Sequence, residues 1–226
     1  MSKVVNPFAH RLGILRDWRH RWFATGAKYQ QYLKADILLR EFLQKELRGM
    51  YIGALEIERN EKQLRVIIKT SRPGIIIGRS GEGSTKLKDK IVAFLKKRKL
   101  QVPEIKLDIE EIRSPESSAA IVAYMVVESL EKRMPFRRVL KQTIEKVMAN
   151  RDVKGVRIGV SGMLGGGSMS RTEELKKGRI PLQTFRSDID YAKERANLPL
   201  GVIGVKVWIY RGEVFAATGK DGGKDK

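Results

Sequence analysis

The stretch Arg72-Pro73-Gly74-Ile75-Ile76-Ile77-Gly78-Arg79-Ser80-Gly81 governs how the rest of the chain is read. Pro73 opens one helical turn through Ile75, Ile76 and Ile77, and Gly78 breaks it. Gly78 and Gly81 bracket Arg79 and Ser80, so the backbone can lie against a sugar-phosphate chain with no Cβ between them. A longer helix is predicted next, from about Gly83 to Arg98, with Leu87, Ile91, Phe94 and Leu95 on one face. Its first N–H groups attract an anion, and Arg79 adds charge. Taken by itself, such glycine spacing equally describes an ordinary turn between helices. Two other glycine-loop chemistries fail on the residues present. A Walker loop needs Gly-Lys-Ser/Thr, but this chain has Gly83-Ser84-Thr85 with Lys86 too late. A dinucleotide fingerprint needs a third glycine where Lys86 stands, and Ile75 to Ile77 are too few residues for the strand before it.

Outward from the loop, period decides the elements. Tyr32, Ala35, Leu39, Phe42, Leu43 and Leu47 recur at helical spacing between about Tyr29 and Leu47, and Gly49 follows as a stop. Leu55 and Ile57, then Leu64, Val66 and Ile68, alternate as two paired strands around a turn at Arg59-Asn60-Glu61-Lys62. After Pro103, Ile105, Leu107 and Ile109 alternate with charged residues as a half-buried strand. The order is helix, strand, strand, short helix, helix, strand. In that order, a Gly-x-x-Gly loop after three isoleucines and before a lysine-bearing helix resembles a KH domain of the second type.

The second half begins at Ser114-Pro115-Glu116, which has the form of a helix start: a capping residue, proline at the first position, an acid in the first turn. That helix is predicted to reach about Arg133. Pro135 starts another, with Val139, Leu140, Thr143, Ile144, Val147 and Met148 as its apolar stripe. Beyond Asp152 the period becomes two, at Val156, Ile158 and Val160, at Ile189 and Tyr191, and from Val202 to Ile209. A polar stretch lies around Ser170 to Glu174. Two helices on a four-stranded sheet account for this pattern, so the fold class expected is α+β. The divisions are an N-terminal basic and aromatic arm at 1–27, a KH domain at 28–112, a C-terminal α/β domain at 113–211 and a tail at 212–226.

The chain has 226 residues, 46 Lys+Arg against 26 Asp+Glu, and a net charge of +20. The excess is +11 up to Ile112 and +9 after it, so both halves face a polyanion. No cysteine is present, which excludes disulfides, zinc knuckles, iron–sulfur clusters and thiol nucleophiles. Two histidines, His10 and His20, cannot alone build a three-ligand metal site, and neither a metal nor a cofactor is expected. Ala119 to Val127 is the longest apolar run, well short of the ~20 residues that span a bilayer. The opening residues carry scattered charges and no apolar core of a secretory signal, so a cytosolic protein without membrane contact is expected.

Several clusters suit RNA. Lys86, Lys88, Lys90, Lys96, Lys97, Arg98 and Lys99 meet one acid, Asp89, and like charges at this density favour phosphate contact over a merely solvated face. Arg137, Arg138 and Lys141 line one side of their helix opposite the apolar stripe, with Lys132 and Arg133 just upstream. Gly162 to Gly167, with Ser168 and Ser170, form a loop able to approach RNA or simply a flexible turn. Trp18, Trp22, Phe23 and Tyr29 interleave with Arg16, Arg19 and Arg21; they stack on bases, at about 1–3 kcal/mol each, or anchor the arm on protein. Glu110 and Glu111 are adjacent on a strand, face opposite ways and cannot form a catalytic pair. No enzyme chemistry emerges.

RPGIIIGRSGE at 72–82, MPFRRVLK at 134–141, VSGMLGG at 160–166, SRTE at 170–173, GRIPLQTFRSDIDYA at 178–192 and GVIGVKVWIYRGE at 201–213 together resemble the small-subunit ribosomal protein S three family of bacteria. The resemblance spans about residues 3–215. It implies a protein of the subunit head that binds small-subunit rRNA, neighbours the proteins S ten and S fourteen and lines the path where mRNA enters. It also implies that Gly78, Arg79, Ser80 and Gly81 with Lys86, Lys88 and Lys90 form the KH contact. It further implies that Arg137, Arg138 and Lys141 face mRNA and help to open its structure; Lys132 and Arg133 are expected to join them from just upstream, and Gly165, Gly166, Gly167 and Arg171 are expected to form a C-terminal contact loop. The chain departs from the family at Met163, Leu175 and Gln183, where arginine, an aromatic residue and histidine are usual. A free KH-type regulator of single-stranded RNA is the competing reading, but such proteins repeat the KH module and none recurs after Ser114.

Overall fold

A computed structural model of the chain describes residues 5–199 and 201–215, which build two four-stranded sheets. The first half contains β1 (His20–Arg21), α1 (Gly26–Glu46), β2 (Ile52–Arg59), β3 (Gln63–Thr70), α2 (Pro73–Ile77), α3 (Glu82–Lys97) and β4 (Glu104–Glu111). From α1 to β4 this is the element order the hydrophobic periods predict. The β2–β3 hairpin is antiparallel, with Leu55 opposite Ile68 and Ile57 opposite Val66. β3 and β4 run parallel, so a crossover is required, and α2 and α3 supply it. Leu39 and Leu43 of α1 and Ile91 and Leu95 of α3 bury against Ile57, Leu64, Val66 and Ile68 of the sheet. Each such side chain contributes about 1.5–3 kcal/mol when fully buried. Gly83 sets the approach of α2 to α3: a Cβ there would lie 2.5 Å from the Ile76 carbonyl oxygen.

The second half contains α4 (Ala119–Glu131), α5 (Phe136–Met148), β5 (Gly155–Gly162), β6 (Arg171–Gly178), β7 (Ser187–Leu198) and β8 (Gly201–Glu213), with strands in the order β6-β5-β8-β7. Every pairing is antiparallel. Val122, Val126, Leu140 and Ile144 of the helices cover Val156, Ile158, Val205 and Val207 on one face of the sheet. The α+β class expected from the sequence is the fold observed.

Three boundaries differ from the sequence reading. Ser114-Pro115-Glu116 does not start α4; Pro115–Ser117 make a separate 3-10 turn and the helix begins at Ala119. The Ala119 N–H donates to Asp190 Oδ2 of β7 at 2.8 Å, so the start is fixed by a carboxylate far along the chain. The same helix ends at Glu131 rather than Arg133, whose φ of 60° lies in the left-handed region. β8 continues to Glu213, two residues into the stretch read as tail, because Glu213 pairs with Ser187 and its carboxylate meets Arg186 at 2.8 Å. The tail from 216 to 226 lies outside the described residues.

The N-terminal arm is built into both halves. His20 and Arg21 run parallel to Ile57 and Glu58 as the edge strand of the first sheet. Arg11 is fully buried against the second half. Its Nε donates to the Ser187 carbonyl at 2.6 Å, its Nη1 to Pro7 at 3.0 Å, and its Nη2 to Leu182 and Thr184 at 3.0 Å each. Arg16 pairs with Asp188 at 2.6 Å. Across the seam, Arg48 pairs with Glu131 at 2.6 Å and the Tyr51 hydroxyl donates to Glu128. Of the two roles open to the arm's aromatics, Trp22 takes the anchoring one, packing on Tyr29 and Tyr32, whereas Trp18 and Phe23 remain exposed.

Candidate nucleic-acid interface

The Gly-x-x-Gly loop forms because α2 is only one turn long. The Gly78 N–H donates to the Gly74 carbonyl at 3.0 Å, and Gly78 then leaves the helix with φ 70°. Arg79–Gly81 make a single 3-10 turn, with Ser80 at φ 52° and Gly81 at φ 82°. The Gly81 carbonyl accepts from Ser84 Oγ at 2.7 Å and Thr85 Oγ1 at 3.2 Å, pinning the loop onto the first turn of α3. Gly78, Arg79 and Ser80 are exposed at its tip. Of the three lysines expected beside it, Lys86 pairs with Glu82 at 3.1 Å and Lys90 with Glu46. Lys88 has no acidic partner among the described residues.

On the second half, the five cations expected to face mRNA divide between two places. Lys132 caps the end of α4 and pairs with Glu128 at 2.7 Å, and Arg133 occupies the turn beyond it. Only Arg137, Arg138 and Lys141 belong to α5, whose opposite side buries Val139, Leu140, Ile144 and Val147. Arg137 donates twice to the Glu173 carboxylate, at 3.2 and 3.3 Å, and Arg171 approaches the same group at 3.8 Å. The bond from Arg137 holds the Glu173 carboxyl below its ordinary value and raises the guanidinium above its own. Arg138 and Lys141 are exposed and have no acidic partner among the described residues.

The glycine loop and the start of α5 converge. Leu164–Gly166 form a 3-10 turn held by buried Leu164, and a Cβ on Gly165 would lie 3.7 Å from the Phe136 ring. Gly167 follows as an extended residue. The guanidinium carbons of Arg137 and Arg171 are 5.6 and 5.7 Å from the centre of that ring, within cation–π reach. Phe136 and Glu173 organise this cluster, and nothing in their local sequence marks them out. Phe136 reads there as one more apolar residue beside a proline. Glu173 reaches Arg137 only because β6 folds back along β5. The KH loop and α5 stand on the helices of different sheets. Among the described residues no group of three or more His, Asp or Glu is gathered to hold a metal, and no helix is long and apolar enough to cross a membrane.

Residues 38–117 match the family model for the KH domain, and residues 126–209 match that for the C-terminal domain of ribosomal protein S3. The chain is 42% identical over 216 residues to the small ribosomal subunit protein uS3 of Coxiella burnetii strain RSA 493, covering 96% of this chain and 92% of that protein. It belongs to the ribosomal protein S3 family. The S3-family protein of Pseudomonas fluorescens strain Pf0-1 is also 42% identical, over 95% of this chain and 91% of its own length. Membership of the S3 family makes the chain a ribosomal constituent with a structural rather than enzymatic part. The KH loop lies within the span that matches the KH domain, and the α5 cluster within the span that matches the S3 C-terminal domain.

Proposed function

We propose that this S3-family chain binds small-subunit rRNA in the head of the cytosolic ribosome beside the proteins S ten and S fourteen, and presents α5 to incoming mRNA. Residues 28–112 and 113–211 act as the two RNA-facing modules, with Gly78, Arg79, Ser80, Gly81 and Lys88 as the KH contact. Gly165, Gly166, Gly167 and Arg171 form the loop beside α5, and Lys132 and Arg133 flank it.

The observation that carries the α5 assignment is the pair Arg138 and Lys141, exposed without acidic partners among the described residues on a helix whose other side is locked into the core. A cation fixed in this way keeps its position when a strand is pulled past it. It holds the phosphates of a separated strand and opposes their return to the duplex. No nucleotide is consumed at the helix; movement of the mRNA supplies the work. Arg137 contributes less, because Glu173 already satisfies it.

The test is translation through stable mRNA hairpins by ribosomes carrying Arg137, Arg138 and Lys141 replaced by alanine. Subunits are expected to assemble, and hairpins to slow them several-fold more than unstructured mRNA does. The pair Arg138→Ala and Lys141→Ala alone should account for most of the slowing. Ordinary speed through hairpins in the triple variant overturns the assignment.

A further inference from the structure

We infer that the second half holds a pocket for one unstacked nucleobase of RNA, entering among Met134, Phe136, Met163 and Leu198 while its flanking phosphates rest on the cations at the rim. The inference rests on reading α5 as an RNA-facing helix and says what that helix does with a strand once it is single.

The cavity opens where the turn between α4 and α5, the loop between β5 and β6, the end of β7 at Leu198 with Pro199 after it and the start of β8 at Gly201 meet. Its volume is about 420 Å3, within the range of sites that enclose small ligands. The walls are mostly hydrocarbon, thioether and one aromatic ring, interrupted by Arg133 and glycine backbone, and among the described residues no acidic side chain lines them. Thioethers are polarisable and adjust to the shape of what they meet, which suits a flat ring whose identity varies. Met163 lies along one wall close to Gly201, where a Cβ would come within 3.0 Å of its Cε.

Charge selects the occupant. Arg133 lines the opening, Arg137 and Arg171 flank the Phe136 ring, and Glu173 is the one acid in that cluster, already shared between the latter two. An apolar recess ringed by cations complements an aromatic base carried on a chain of phosphates. An apolar side chain of a neighbouring protein would fill the recess but leave unanswered Arg133 and the one positive charge by which Arg137 and Arg171 together exceed Glu173. Proteins that recognise single-stranded RNA take splayed bases onto aromatic rings and guanidinium planes in this way. A base seated here cannot re-pair, so the recess adds to what the α5 cations do through phosphates alone.

The test compares binding of the full-length protein to a short oligouridylate and to the same oligomer with abasic sugars at its central positions, so that the phosphate number is equal. The wild type should prefer the base-bearing oligomer by about tenfold, within what one stacked base contributes. Met163→Trp closes the recess and should bring the ratio near one while leaving affinity for the abasic oligomer unchanged. Phe136→Leu keeps the apolar volume without the ring and should lower the ratio in the same direction, which keeps the test decisive if the tryptophan variant does not fold. Alanine at Arg138 and Lys141 should weaken both oligomers equally and preserve the ratio. A wild-type ratio near one, as expected if a protein side chain fills the recess, overturns the pocket. So does a ratio unchanged in the variants. Either result leaves the α5 reading standing as long as the cation variant still weakens both oligomers. If that variant weakens neither, the α5 reading fails and the pocket with it.

Discussion

Replacing Arg11 by methionine should loosen the whole N-terminal arm. The guanidinium is fully buried and gives four hydrogen bonds of 2.6 to 3.0 Å to the carbonyls of Pro7, Leu182, Thr184 and Ser187. A bond from a charged donor is worth at least ~1.5 kcal/mol net, so the four set a gross loss of roughly 6 kcal/mol. Against this, a buried cation without a carboxylate in direct contact carries a desolvation cost of several kcal/mol that methionine escapes. Burial accordingly pulls the Arg11 guanidinium below its ordinary value, with Asp188 acting in the opposite sense. The net destabilisation is about 3 kcal/mol, which in a chain of this length lowers Tm by roughly 6–12 °C. Thermal unfolding followed by circular dichroism measures the first effect, and limited trypsin digestion the second, through cleavage at Arg16, Arg19 and Arg21 in the variant before the folded halves are cut. If Arg11→Met melts with the wild type and its arm stays protected, the carbonyl cage does not hold the arm and the reasoning fails.

Gly81→Asp should reduce RNA crosslinking at the KH loop about tenfold by placing a negative charge among phosphates. Among the described residues, a Cβ there would come no closer than 3.8 Å to a non-adjacent residue, at Ser84 Oγ, so the cost to the fold is the ~1–2 kcal/mol of a left-handed residue; equal crosslinking with an intact fold refutes it. Stability should fall as pH drops below about 6.5, the value of a free imidazole. Burial depresses the His20 pKa more than nearby Asp36 raises it, and Arg40 and Arg19 depress it further, so the unfolded chain binds the proton first. His20→Gln should flatten this limb of an unfolding-versus-pH curve, and an unchanged limb excludes His20 as its source. Binding of single-stranded RNA should weaken with salt at a log–log slope of about −3, from ~0.7 per phosphate held by Arg79, Lys88, Arg138 and Lys141. A salt-independent affinity would mean that these cations do not meet phosphate.

Local pattern and distant partner explain which parts of this fold the sequence reveals. The alternation at Leu55, Ile57, Leu64, Val66 and Ile68 and the stripe of α5 are enforced by one buried face, so their periods survive in the sequence and place the elements. The start of α4 does not, because Ser114-Pro115-Glu116 satisfies every local rule for a helix start while the group that caps Ala119 is Asp190, 71 positions away. Two residues of β1 are too few to show a period at all. At the interface, the Gly-x-x-Gly loop and the cationic face of α5 are visible as letters because a turn and a helix are local. That Glu173 occupies Arg137, that Glu46 occupies Lys90 and that Gly165 lies against Phe136 depend on which segments meet, and spacing carries no record of it.

The cage around Arg11 also bears on the order in which the molecule is made. Synthesis runs from the arm toward β8, yet the carbonyls that receive Arg11 belong to Leu182, Thr184 and Ser187, and Arg11 and Ser187 stand 176 positions apart. The KH module can gather its core long before those residues leave the exit tunnel, so Arg11 emerges well ahead of its partners and is among the last residues to dock. Throughout that interval Arg11 and Arg16 lack the carbonyls and the carboxylate that hold them in the folded chain, and their charge is neutralised only by solvent or by whatever polyanion lies nearby.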